Sequence, residues 1–152
     1  MKNERGIYMK KLLCLLLALC LLPACAFAVS VEDFNMYASI FGEPELDTSS
    51  GKTSNSYIFF ESEDCIISFK EENGEIKTII VNGDGIPFIV YSMAAIMAFD
   101  QDSSNFTDNA GRFMTMFLLN RTATETETGY LPAGYYYAFS KDERGYVFLI
   151  GK

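Results

Sequence analysis

The chain has 152 residues, with 20 acidic against 12 basic side chains, a formal net charge of −8, and no histidine. Without histidine, Ser-His-Asp and Cys-His catalysis are excluded, as is every zinc site that needs imidazole. The acidic balance argues against nucleic acid and anionic lipid headgroups as partners.

Lys10 and Lys11 precede an apolar run, Leu12–Leu22, and Ala26-Phe27-Ala28 follows it. That order of charge, apolar core and small residues reads as a signal peptide over residues 1–28. The run has 11 residues, whereas a membrane span needs roughly 20. Met9-Lys10-Lys11 forms a more compact start than Met1. Two processing routes fit. Leu22-Pro23-Ala24-Cys25 resembles a bacterial lipobox and makes Cys25 a candidate lipidation site, but proline is unusual there. The pattern favours cleavage after Ala28, which leaves residues 29–152 as a single exported domain, secreted or held at the cell envelope. Its only membrane contact would be the signal peptide or a lipid on Cys25. Removing residues 1–28 takes away four basic residues and only Glu4, leaving 8 basic against 19 acidic groups and a net charge of −11.

The remaining 124 residues suffice for one hydrophobic core. Ser30 is a good N-cap for a helix over 31–41, which Gly42 and Pro44 end. Residues 45–56 are polar and read as a mobile loop. Strands are predicted at Tyr57–Glu61, Cys65–Glu71 and Glu75–Val81, the last two joined through Asn73-Gly74, a strong hairpin signal. A plain two-residue turn would set Lys70 opposite Lys77; a three-residue turn with a bulge would avoid that repulsion. Asn82-Gly83-Asp84-Gly85 closes the meander.

The uncharged segment Pro87–Phe99 is apolar on nearly every face, which predicts a central helix covered on several sides. A pocket under its Met93 and Met97 is the alternative reading. A second helix is expected from Asp108 to Asn120. Residues 122–129 are rich in threonine and glutamate, and Gly129 and Pro132 mark an exit loop. Strands at Tyr135–Ser140 and Tyr146–Ile150 complete the order α-β-β-β-α-α-β-β. Without βαβ alternation, that order predicts an α+β fold, an antiparallel sheet with helices packed on one face.

Little chemistry survives inspection. Cys14 and Cys20 leave with the signal peptide, so Cys65 is the one cysteine certain to remain. It alternates with Ile67 and Phe69 on one strand face and reads as a small core residue rather than a reactive thiol. No Gly-rich phosphate loop is present. Paired carboxylates remain, with Glu61, Glu63, Asp64, Glu71, Glu72, Asp100 and Asp102 as candidates, but most fall at strand ends or in loops. Asp100-Gln101-Asp102 opens like a calcium loop. Asn105 then stands where glycine is needed, and Gly111 where the bidentate glutamate belongs. No metal ligand, cofactor or catalytic residue is assigned. Asn105 and Asn120 open glycosylation sequons, which a bacterial signal peptide makes irrelevant.

Tyr135, Tyr137 and Phe139 share one strand face. That leaves Tyr130, Tyr136 and Tyr146 as candidates for an exposed protein-contact surface, since tyrosine combines contact area with hydrogen bonding.

The first half has an outline of its own: a helix ending in Phe41-Gly42-Glu43-Pro44, a polar loop, Tyr57-Ile58-Phe59, then a strand, Asn73-Gly74 and Ile76–Val81. Over residues 31–82 this resembles the α-β-β-β lobe of β-lactamase-inhibitor-protein-like and small outer-membrane assembly lipoprotein folds. Phe41 stands where leucine is usual, and the second half does not repeat the pattern. The resemblance implies a non-catalytic protein-binding module of the cell envelope and transfers no binding residues. A small-ligand carrier is the alternative expectation, and a carboxylate-based hydrolase a third.

Overall fold

A computed structural model describes residues 29–62, 64–100, 106–119, 126–131, 134–143 and 145–152. The first helix, α1 (Val31–Ile40), starts on a capping box, with Asp33 N–H donating to Ser30 Oγ at 3.1 Å and Ser30 N–H to the Asp33 carboxylate at 3.2 Å. Gly42, at φ +95°, turns the chain out of it. The helix buries Phe34 and Ala38.

The expected mobile loop after it holds ordered pieces. Asn35, buried on α1, donates to the Leu46 carbonyl (3.1 Å) and accepts from its N–H (3.0 Å). Asp47 caps a short 3-10 turn, Thr48–Ser50, and β1 (Lys52–Ser54) follows as an edge strand. Polar composition alone hid these, because Leu46 is held by Asn35 of α1 and β1 by the backbone of β2.

Strands β2 (Tyr57–Glu61), β3 (Cys65–Glu72) and β4 (Glu75–Gly83) lead into α2 (Gly85–Phe99) and α3 (Phe106–Leu119). β5 (Glu127–Tyr130), β6 (Tyr136–Asp142) and β7 (Gly145–Gly151) then complete one sheet. The strand order is β1-β2-β3-β4-β7-β6-β5, and every neighbouring pair is antiparallel. The fold is α+β with the expected order, plus the short edge strands β1 and β5. Tyr135 falls just outside β6, where its ring packs 5.2 Å from Phe99.

The β3–β4 hairpin turns through Asn73 (φ 57°) and Gly74 (φ 77°), the two positive angles that a tight two-residue turn requires. The expected three-residue turn is absent. The irregularity lies one step inside the ladder, between Lys70 and Glu71, and sets Lys70 opposite Thr78 instead of Lys77. The turn also leaves Glu72 opposite Glu75. That repulsion is offset by Lys70 on Glu72 at 2.6 Å, and by Lys77 and Lys152 on Glu75.

Alternation along the strands decides where the core sits. Phe60, Cys65, Ile67, Phe69, Ile79, Val81, Tyr137, Phe139, Phe148 and Ile150 are buried on one face. α2 lies across that face, against β3, β4 and β7, with α1 and α3 packed on its other sides. This explains why the helix is apolar all round. Two ring clusters fill the layer: Phe34, Phe60, Phe69 and Tyr91 beneath α1, and Phe88, Phe113, Phe139 and Phe148 beneath α3. Each fully buried ring contributes roughly 1.5–3 kcal/mol.

Candidate functional site: the open face of the sheet

The same alternation sends a second set of side chains to the opposite face. Across the strands, registered pairing lines up Phe59, Ser68, Ile80, Leu149, Ala138 and Thr128 in one row. One step along lies the row Glu61, Ile66, Asn82, Val147 and Ser140. On the other side lie Tyr57, Lys70, Thr78, Gly151, Tyr136 and Tyr130. Among the described residues, no helix covers these rows. Ile66 is 45 % exposed and Tyr130 67 %, while Phe59, Ile80, Val147 and Leu149 are half-buried.

The result is an apolar band across the middle of the sheet. Phe59, Ile66, Ile80, Val147 and Leu149 are its body, and aromatic rings close its ends. Tyr57 packs 6.1 Å from Phe59, and Tyr130 meets Tyr136 edge-on at 5.7 Å on facing positions of β5 and β6. Two of the three predicted contact tyrosines are therefore together and exposed.

Tyr146 is not with them. It is buried on the helical face, stacked 5.4 Å from Phe88 and 4.9 Å from Phe117, with Lys141 Nζ 5.0 Å above its ring. The reason is register: Lys141 pairs with Tyr146 and Phe139 with Phe148, so Tyr146, Phe148 and Ile150 point inward together. The aliphatic members Ile66, Ile80, Val147 and Leu149 escaped the sequence reading. Their signal is the complement of the core alternation, visible in runs such as Ile79-Ile80-Val81, where consecutive apolar residues occupy both faces.

At one long edge of the band the surface dips into a hollow of about 570 Å³ lined by Glu61, Asp64, Ile66, Asn82 and Gly83. Gly83 shapes it. A Cβ there would fall 2.4 Å from Cys65 Sγ and 2.5 Å from the Asp64 carbonyl, so no side chain fits. Glu61 holds Lys52 at 3.0 Å, but both side chains are mostly exposed, and such a pair is weak.

The other sequence candidates are dispersed. Cys25, Glu63 and Asp102 lie outside the described residues. Asp100 is buried at the end of α2, accepting a hydrogen bond from the Asn109 amide. Glu71 is exposed on the hairpin, and Glu72 is held by Lys70, which lowers its pKa. Among the described residues no group of three acidic or cysteine side chains is placed to hold a metal ion. Cys65 is buried, and desolvation together with the nearby Asp64 charge pushes its thiol up to about 12, the opposite of nucleophile activation.

None of the described cavities is lined by Met93 or Met97; Met93 is partly buried against the core, and Ala94, Ala95 and Ala98 of the same helix are fully buried. No helix among the described residues is long and apolar enough to cross a membrane. The chain matches no protein-family model, and no curated protein or solved structure is significantly similar to it.

Proposed function

We propose that this chain is an exported bacterial protein, of the envelope or secreted, that works as a non-catalytic protein-binding module through the open face of its sheet. One observation carries the reading: an apolar band of Phe59, Ile66, Ile80, Val147 and Leu149, with tyrosines at its ends, that no described helix covers, on a sheet whose other face packs against the helices. Such a patch is costly in water and marks an interaction surface more often than not. Tyr130 and Tyr136 supply the amphipathic rings that interfaces favour. Export rests on the Lys10-Lys11, Leu12–Leu22 and Ala26-Phe27-Ala28 pattern, with Cys25 the alternative lipid anchor.

Photo-crosslinking in the native host tests it. A benzophenone residue replaces Phe59 on the open face, or Ile86, which is 72 % exposed at the start of α2 on the helical side. The reading expects adducts to another protein from position 59 and not from position 86. Equal adducts from both, or none from position 59, would overturn it. The intact mass of the recovered protein separates a chain starting at Val29 from one starting at acylated Cys25.

A further inference from the structure

We infer that the occupant of the open face is an amphipathic helix of a partner protein, laid across the strands and carrying basic side chains along one flank. This rests on the protein-binding reading above and adds the shape and charge of the partner.

Shape comes first. The row from Phe59 on β2 to Ala138 on β6 crosses five adjacent strands, about 19 Å at roughly 4.8 Å per strand. A helix covers that length in about 13 residues, at 1.5 Å each. Across its width, the band consists of the Phe59–Ile80–Leu149 row and the Ile66–Val147 row, two residues apart along each strand, or about 7 Å. On one side it gives way to Glu61, Asn82 and Ser140 between its apolar members. On the other it meets Lys70, Thr78 and Gly151. That strip suits one helix, about 10 Å in diameter. A second sheet would lay strands over the polar margins as well and bury them without partners.

Charge then sets the flank. The Ile66–Val147 edge opens into the hollow that Glu61 and Asp64 line. The hollow adjoins the band directly, because Ile66 belongs to both. An arginine or lysine projecting from the helix flank fits there beside the exposed Asp64 carboxylate and the Asn82 amide, and competes for Glu61 with the mostly exposed Lys52. The opposite edge carries a cation of its own, Lys70, beside Glu72. A second copy of this chain is disfavoured by charge, since 8 basic against 19 acidic groups in residues 29–152 oppose close approach.

The test uses designed 18-residue helical peptides titrated into isotope-labelled, processed protein at physiological salt. One carries a leucine stripe with arginine along one flank, a second has glutamate on that flank, and a third has serine in place of leucine. The inference expects saturable shifts at Ile66, Ile80, Val147 and Leu149 with the arginine peptide alone. Ile80→Lys weakens binding about ten-fold or more, as loss of a central apolar contact does. Asp64→Asn, an exposed change with little risk to folding, weakens the arginine peptide several-fold.

Equal binding of the arginine and glutamate peptides, shifts confined to Met36 and Ile40 on the helical side, or no binding would overturn the inference. So would sedimentation showing a dimer abolished by Ile80→Lys, which would make the occupant a second copy. If the peptides fail but position 59 still crosslinks to another protein, the helix is wrong and the binding reading stands. If crosslinking fails as well, both fall.

Discussion

The two faces of the sheet are built from the same strands by the same alternation, yet they meet different fates. Ile79 and Ile80 are neighbours in the chain. Ile79 is fully buried beneath α2, whereas Ile80 lies half-exposed among Phe59, Leu149 and Ser68. The helical face is close-packed with aromatic rings, so its side chains are held by their neighbours. The open face carries apolar side chains whose burial is incomplete. The first face explains why the chain folds. The second explains what a folded chain of this kind has left over to use.

Substitutions that separate the faces sharpen this contrast. Phe69→Ala removes a ring packed 5.2 Å from Phe34 and 5.6 Å from Phe60, and it should cost about 3–5 kcal/mol in chemical unfolding. Ile66→Ser, on the same strand but the open face, should change stability by less than about 1 kcal/mol. A comparable loss at both sites would mean the faces are not distinct. Next in size is Gly83→Ala, where the new methyl group meets Cys65 Sγ and the Asp64 carbonyl. Overpacking of this kind costs about 1–3 kcal/mol and should lower the unfolding midpoint; an unchanged midpoint would show that β3 and β4 yield there.

The Cys65 thiol reports on the packed face without any mutation. Its folded pKa is raised from 9.0 to about 12, so between those values the folded state holds a proton that the unfolded chain has lost. Stability should therefore fall as pH rises through that window, and Cys65→Ala should flatten the slope. At pH 8 the native thiol should resist an aromatic disulfide reagent that reacts at once in denaturant. Rapid native reaction would place it at the surface.

The smallest effect belongs to the hairpin rim. Lys77 holds the Glu75 carboxyl below its ordinary pKa, and Lys70 does the same for Glu72. Both groups lend stability above the unfolded carboxylate range, near pH 4.3, and lose it as pH falls through their depressed values. Glu75→Gln should slightly reduce the acid-side loss. Because both pairs lie at the rim of the hairpin and reach solvent, the change should be small.

Much of the fold was legible because its signals are local. Ser30 spells a helix start, Asn73-Gly74 spells a turn, and the uncharged run Pro87–Phe99 announces a helix covered from several sides. The three-residue turn expected as relief of like charge does not form: Asn73-Gly74 makes a two-residue turn, and an irregularity between Lys70 and Glu71 parts Lys70 from Lys77 instead. What the sequence hid depends on partners far along the chain. β1 exists because β2 offers an edge, and Tyr146 turns inward because β7 registers with Lys141 and Phe139. The apolar band was obscured for a related reason. Ile79, Ile80 and Val81 are all apolar, so the run marks neither face as core, and pairing of β4 with β3 and β7 sets Ile80 on the face of Phe59 and Leu149.

The most direct test of two unlike faces is the urea unfolding of Ile79→Lys beside that of Ile80→Lys in the processed protein. A lysine at position 79 buries an unpaired charge and should destabilise the fold by more than about 4 kcal/mol, enough to prevent folding of a marginally stable domain. A lysine at position 80 reaches water and should leave the midpoint nearly unchanged, within about 1 kcal/mol. If Ile80→Lys collapses the fold as Ile79→Lys does, both faces are packed, and there is no open surface for a partner to occupy.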